Sequence, residues 1–314
     1  MFSPFVNDLT IDLLACHLSL TQTNSPGGIV YPIVHKSILA PTITKFVIKA
    51  PFVAKKRLPG NFVIIRVEEN GERIPLTIVD SDNAHGTITL IVQALGKTTK
   101  LMSTKKVGDA LTDVAGPLGN PTPILENKTV ACVGGGVGTA ELYPITKALQ
   151  AQGNTVHTVI GARSKDLIIL ENEMTECSNH IVVTTDDGTY GRKGFVTDAL
   201  KEVLVNSPEI SAVYAIGPLP MMKAVSALTR NFNKKTYVSL NAVMVDGTGM
   251  CGGCRVTVDG KMKFACVDGP EFDGHKVDFD ELIMRNRTYV DAEKVSLALY
   301  EQNGACSCAK EVAA

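Results

Sequence analysis

The sequence predicts a β plus α/β chain: an antiparallel β-barrel, then a doubly wound parallel sheet, then a small loop domain built around cysteines. Three observations carry this. Between Ile29 and about Leu125, short β-branched and aromatic runs alternate with turn residues, as in an antiparallel sandwich or barrel. From Thr129 to Leu240, strand candidates alternate with helical segments, which is βαβ repetition and implies a parallel sheet. Beyond Leu240, three of the eight cysteines crowd into Cys251-Gly-Gly-Cys254 and Cys266, a clustering that core packing does not need.

Composition bounds the rest. With 314 residues, 45% hydrophobic and 20% charged, the chain is long enough for two or three compact domains and too apolar for disorder. A formal net charge of -1 with both signs interspersed lacks the footprint of a nucleic-acid binder, and no apolar run is long enough to span a bilayer. Residues 1–35 contain no Lys or Arg, so no secretory signal or mitochondrial presequence is readable. The uneven cysteines read as reduced thiols and cofactor ligands, which sets the expectation of a cytoplasmic protein.

The elements follow in order. Residues 1–29 form an N-terminal extension in which Ile11, Leu14 and Leu18 would share one helix face, followed by a turn-rich run from Thr21 to Gly28. The barrel domain, 30–125, is expected to hold strands at Ile43–Ala50, Phe62–Val67, Leu76–Val79, Thr87–Gln93 and Ala110–Val114, with hairpin turns at Asn70-Gly71 and Asn83–Gly86. In the second domain, 126–240, strands at Thr129–Val133, Thr155–Ile160, His180–Thr184, Ala212–Ile216 and Tyr237–Leu240 are separated by helices near 139–151, 165–177, 194–205 and 218–230. A cluster domain, 241–285, would place Cys266 on a return strand. Residues 286–314 read as a helix over 288–303 and a tail carrying Cys306 and Cys308 as exposed thiols.

Several short segments suit anionic ligands. Arg73-Ile-Pro75-Leu76-Thr77 and Gly96-Lys97-Thr98-Thr99 combine cations, hydroxyls and free backbone N–H groups, which suits a pyrophosphate; each alone is equally an ordinary strand end or polar turn. The run Gly134-Gly135-Gly136-Val137-Gly138-Thr139 ends a strand and enters a helix. There the backbone can approach a dinucleotide pyrophosphate at the helix N-terminus, although Thr139 stands where the usual spacing has its last glycine. Arg163 follows the second strand, where an Arg accommodates the 2′-phosphate of NADP or simply faces solvent. Gly217-Pro218 ends the fourth strand at the same sheet edge. Asp186 and Asp187 end the third and take no catalytic role, because hydride transfer needs no acid-base pair.

The cysteine loop carries the sharpest chemistry. Asp246, four residues, Cys251, two residues, Cys254 and a distant Cys266 match the spacing of a plant-type [2Fe-2S] site with Asp in the first position. The glycines between them let backbone wrap a compact core. The same donors could hold structural zinc, and the spacing alone leaves both open.

Taken together, Arg-x-Pro-Leu-Thr on a barrel, Gly-Gly-Gly-Val-Gly-Thr-Ala and Gly217-Pro-Leu-Pro-Met-Met222 on a nucleotide domain, and a cysteine loop resemble the ferredoxin-reductase-like flavoproteins. Within them the chain is similar to the small subunits of NADH-dependent reduced ferredoxin:NADP oxidoreductases, and more distantly to dihydroorotate dehydrogenase electron-transfer subunits. Asp246 favours the former, since the latter would carry four cysteines. The resemblance implies FAD at Arg73, Pro75, Leu76, Thr77 and Gly96–Thr99, and a nicotinamide nucleotide at Gly134–Thr139 and Gly217. It implies NAD(H) against the NADP(H) lean of Arg163, and a [2Fe-2S] cluster at the cysteine loop. It also implies a larger flavin and iron-sulfur partner subunit in a heterodimer, and ferredoxin as an indirect partner. The alternatives are service to a dihydroorotate dehydrogenase, or a zinc-stabilised nucleotide-binding module without redox activity.

Overall fold

The computed structural model describes residues 30–311, so the helix expected around Ile11, Leu14 and Leu18 lies outside the described residues. The first half holds strands β1 Tyr31–Ala40, β2 Ile43–Lys49, β3 Phe62–Arg66, β4 Arg73–Thr77, β5 Asp80–Asp82, β6 Thr87–Gln93, β7 Ala110–Leu111 and β8 Asp113–Leu118, with helices α1 Pro51–Lys56 and α2 Lys97–Thr104. All their pairings are antiparallel. The strands divide into a five-stranded sheet, β5-β6-β2-β1-β7, and a three-stranded sheet, β4-β3-β8. The expected barrel therefore does not close as one hydrogen-bonded ring among the described residues. Pro75 in β4 and Pro117 in β8 lack the N–H that a further neighbour would need, which suits both as edge strands.

What joins the two sheets is a shared core. Ile33, Phe46, Ile48 and Leu90 from the larger sheet meet Val63, Ile65 and Val114 from the smaller, all essentially buried. β1 departs from the expectation, which starts the strands at Ile43. Its polar centre His35-Lys36-Ser37 masks the two-residue period, and Lys36 Nζ is occupied in donating to the carbonyls of Ser103 (2.6 Å) and Lys105 (2.7 Å).

The second half alternates β9 Thr129–Gly135, α3 Gly138–Ala151, β10 Thr155–Ala162, α4 Glu171–Glu176, β11 His180–Thr185, β12 Arg192–Lys193, α5 Val196–Asn206, β13 Ala212–Ile216, α6 Leu219–Asn231 and β14 Lys235–Ser239. These strands are parallel, in the order β12-β11-β10-β9-β13-β14, and a later strand, β17 Glu271–Asp273, closes the edge antiparallel to β14. The chain winds outward from β9 in both directions, so a crevice opens at the carboxyl end of β9, the topological switch point. The helix expected over 165–177 is split. A 3₁₀ turn at Lys165–Leu167 and α4 are parted by Leu170 at φ 55°, because Ile169 is drawn into a buried cluster with Ala140 that helical spacing would not reach.

After β14 come the hairpin β15 Arg255–Val258 and β16 Lys261–Phe264, the short helix α7 Ala265–Asp268, then β17, α8 Phe279–Asn286 and α9 Val290–Glu311. Cys266 thus sits on α7 and not on a return strand, because Asp268 accepts from the Phe264 amide (2.7 Å) and turns the chain. Cys306 and Cys308 fall within the α9 backbone; their side chains lie outside the description. One core unites the parallel sheet, β3 and the cysteine loop: Phe62, Ile64, Val133, Ala215, Cys254 and Cys266 belong to a single buried cluster.

Candidate functional site

A cavity of about 720 Å³ lies along the carboxyl edge of the parallel sheet. Its wall is the turn Gly135–Gly138, with Gly161–Arg163 after β10 and Asp186 after β11 on one side, and Gly217-Pro218 after β13 with Ser239 and Asn241 after β14 on the other. Gln93 and Leu95 at the end of β6 bring the antiparallel half to the same space. The turn is held by the Gly136 amide donating to the Gly161 carbonyl (2.8 Å). Gly138 has to be glycine: a Cβ would stand 2.6 Å from the Ile216 carbonyl oxygen and 2.7 Å from Gly217 Cα, so α3 could not start so close to the β13–α6 turn. Gly134 and Thr139 sit behind the turn, packed on one another, while a Cβ on Gly136 would meet no atom within 4 Å and would point into open space a phosphate can fill.

The residues expected to hold a flavin are brought together at one edge of the antiparallel half. Gly96 precedes α2, whose first residues Lys97 and Thr98 reach back to Glu72 just before β4: Thr98 Oγ1 donates to Glu72 Oε2 at 2.6 Å, and Lys97 Nζ lies 3.9 Å from Oε1. A Cβ on Gly96 would touch no atom within 4 Å, so the fold itself gives no steric reason for glycine there. This is a cradle that leaves α2 amides open to an anion, and it fits a pyrophosphate. Arg73 opens β4 and is held by partners of its own. Its Nε donates to the Val245 carbonyl (3.0 Å) and its Nη1 pairs with Asp113 (3.0 Å), tying β4 and β8 to the cysteine loop.

In that loop Cys254 and Cys266 are buried with sulfurs 3.2 Å apart, and Cys251 is exposed. Gly247 takes φ 85°, and a Cβ there would meet Leu118 and Ile64 side chains at 2.7 and 2.8 Å; glycine allows the loop to lie on the three-stranded sheet. The Gly253 amide donates to Cys251 Sγ (3.4 Å) and holds that thiol below its ordinary range, as a group destined to be a thiolate requires. Burial pushes Cys266 up to about 12, aided by the neighbouring Cys254, a shift that a bound cation would reverse. The Asp246 carboxylate turns back to accept from the Thr248 hydroxyl and amide, which keeps it low. Among the described residues no three such side chains converge on one point. The donor set, three thiols and one carboxylate on glycine-rich backbone, nonetheless fits a thiophilic metal centre.

Sequence reasoning missed two carboxyls. Glu141, in the first turn of α3, lines the cavity, and burial alone raises it to about 7. Glu271 on β17, in register with Ser239, is raised to about 8, first by burial and also by the charge of Glu141, while the Ser239 and Thr122 hydroxyls ease it. Thr122 Oγ1 is itself buried without an aligned partner. Both carboxyls favour the proton in the folded state, so the stability they contribute is full below the ordinary value of 4.5 and is lost as pH climbs through about 7 and 8. Glu271→Gln is expected to melt above wild type at pH 9, with the gap narrowing toward pH 5, in thermal denaturation followed by circular dichroism. A Glu in a first helical turn is ordinary; only its burial marks it.

A dinucleotide crevice at a sheet switch point, coupled to a cysteine loop, defines an oxidoreductase that moves electrons between a nicotinamide nucleotide and an iron-sulfur centre. Family models agree: residues 132–227 match the oxidoreductase NAD-binding domain, and residues 241–278 match the iron-sulfur cluster binding domain of dihydroorotate dehydrogenase B, which decides iron-sulfur over zinc. The chain is 49% identical over 270 residues to a dihydroorotate dehydrogenase B (NAD(+)) electron transfer subunit homolog of Thermotoga maritima, covering 86% of this chain and 95% of that one. It is 34% identical over 251 residues to the dihydroorotate dehydrogenase B (NAD(+)) electron transfer subunit of Bacillus cereus, covering 76% and 94%. A solved structure of NADH-dependent reduced ferredoxin-NADP oxidoreductase aligns with TM-score 0.81 at 49% identity, covering 88% of this chain and 99% of that one. The chain belongs to the family of dihydroorotate dehydrogenase B electron transfer subunits and their homologues. No helix among the described residues is long and apolar enough to cross a membrane.

Proposed function

We propose that this chain is the NAD(H)-facing arm of a larger electron-transfer complex of the ferredoxin:NADP oxidoreductase type, working in the cytoplasm. The observation that carries this is Asp246 at the first position of an otherwise cysteine-based ligand set, on a chain nearly half identical to the solved oxidoreductase subunit. In this reading residues 30–125 hold FAD, 126–240 the nucleotide, 241–285 the cluster and 286–314 a helix and tail, while 1–29 is an extension. A flavin and a [2Fe-2S] cluster held there would supply the conversion between two-electron and one-electron transfer.

This chain's residues then supply position and charge. Gly96, Lys97, Thr98 and Thr99 receive the flavin pyrophosphate with Arg73, Pro75, Leu76 and Thr77 along β4. Gly134, Gly135, Gly136, Val137, Gly138 and Thr139 form the nucleotide turn, with Arg163, Gly217 and Pro218 at its rim. Asp246, Cys251, Cys254 and Cys266 hold the cluster. Purification of the native complex tests the whole: flavin, iron, acid-labile sulfide and a larger flavoprotein partner are expected together, whereas colourless protein with one zinc per chain would overturn it. Co-purification with a dihydroorotate-oxidising partner would favour the family's other role.

The same geometry bears on nucleotide choice. Asp186 and Asp187 amides donate to the Ala162 and Arg163 carbonyls (3.1 and 3.2 Å), so the acidic turn is zipped against Arg163. Asp187 is occupied with Thr189 at 2.7 Å, which leaves Asp186 to face the cavity. A 2′-phosphate reaching Arg163 would meet that carboxylate, whereas a ribose 2′-hydroxyl could donate to it. Asp186→Ser is expected to raise the NADPH to NADH preference about tenfold in kcat/KM with a dye acceptor; an unchanged ratio would return the choice to Arg163.

A further inference from the structure

The hydride route accounts for the cavity's glycine turn but leaves its one unneutralised carboxyl on the inner side without a task. Arg163 and Asp186 follow β10 and β11, on one side of β9, whereas Ser239 and Asn241 follow β14, two strands away on the other side. A dinucleotide laid across the switch point puts its adenosine at one of these sides and its nicotinamide at the other. Glu141 belongs to the second side, since the charge it presents acts on Glu271, the residue in register with Ser239. The charged side chains lining the cavity are Glu141, Arg163 and Asp186, and the last two both follow strands on the adenosine side. Glu271, within range of the charge on Glu141, has the Ser239 and Thr122 hydroxyls beside it and Gly60 against its carboxyl, where a Cβ would come within 3.1 Å of Oε2. No lysine or arginine lines this side of the cavity.

We propose that Glu141, backed by Glu271, is the residue that reads the charge of the nicotinamide ring and sets the relative affinity for NAD+ and NADH. This rests on the nucleotide reading of the cavity given above. Loss of hydride leaves the ring with one positive charge. An ionised Glu141 facing it in a poorly hydrated cavity stabilises that cation, whereas a protonated Glu141 is neutral toward both redox forms. Two carboxyls close enough to interact resist ionising together, so an ionised Glu141 holds the proton on Glu271 and leaves Glu141 as the group that titrates first. Oxidised nucleotide is therefore held more tightly as pH rises, with release of a proton on binding. The arrangement makes product retention, and not only hydride transfer, sensitive to the protonation of a group that never touches the reacting hydrogen.

The test uses the full FAD-loaded chain and measures Kd for NAD+ and for NADH separately between pH 6 and 9. Wild type is expected to gain NAD+ affinity across this range while NADH changes little. Glu141→Gln is expected to weaken NAD+ about tenfold at pH 9, to leave NADH within about twofold, and to flatten the pH profile. Glu141→Asp is expected to restore part of the pH response and Glu271→Gln to leave its midpoint in place, a pattern that a purely structural role of Glu141 would not give. Equal weakening of both nucleotides, or an unaltered profile in Glu141→Gln, would overturn the inference alone. Failure of the wild-type chain to bind either nucleotide would instead overturn the nucleotide reading on which it stands.

Discussion

Changing Cys251 and Cys254 together to Ser is expected to abolish the reduced-cluster electron paramagnetic resonance signal and to remove iron and acid-labile sulfide from the purified chain. Hydroxyls are poor ligands for a thiophilic centre, and the two positions supply half of the proposed set. The two sites fail differently. Cys251 is exposed, so its replacement affects the ligand alone, whereas Cys254 is buried against Cys266 and a Ser there adds an unpaired hydroxyl costing about 1–3 kcal/mol. NADH-dependent reduction of a two-electron dye should survive in the double variant, because the nucleotide turn and the Gly96 cradle lie on other elements. A retained signal would remove the loop from electron transfer. Asp246→Ala should likewise damage the centre, while Asp246→Cys should keep it at a shifted potential, since ligand identity is one of the levers on potential.

The second large effect is expected at Gly138. A single methyl there would press on the Ile216 carbonyl and Gly217 Cα, both backbone atoms that cannot rotate aside, so α3 must move away from the β13–α6 turn. Overpacking of this kind costs about 1–3 kcal/mol of stability. The functional cost should be larger. The same movement displaces the amides proposed to receive the pyrophosphate, and a shift of about 1 Å in a positioning element can lower turnover on the order of 100-fold. Gly138→Ala should therefore lose NADH-dependent activity while keeping flavin and iron content. Gly136→Ala differs in kind: its Cβ would meet no protein atom, but its φ of 56° disfavours a side chain and the methyl would enter the anion site. Both variants should weaken NADH, and only the first should lower the melting temperature through a clash.

The local chemistry of this chain was legible from its residues. A glycine run between a strand and a helix, and thiols spaced to share a metal centre, are patterns whose meaning lies within one turn or loop, so the sequence by itself determined the two-part β and α/β organisation and the glycine turn, and marked a candidate ligand set. Tertiary structure decided what depends on distant neighbours. It split the expected barrel into two sheets at strands carrying Pro75 and Pro117. It set Arg73 on the carbonyl of Val245, 172 residues away, instead of leaving it at a free strand end. It brought the Asp186-Asp187 turn onto the Ala162 and Arg163 carbonyls, and it set a half-buried Glu141 within range of Glu271. Backbone preference acts over a few residues and can be read along the chain; desolvation and charge opposition act through space, and a carboxyl's protonation is fixed only once the fold has chosen what surrounds it.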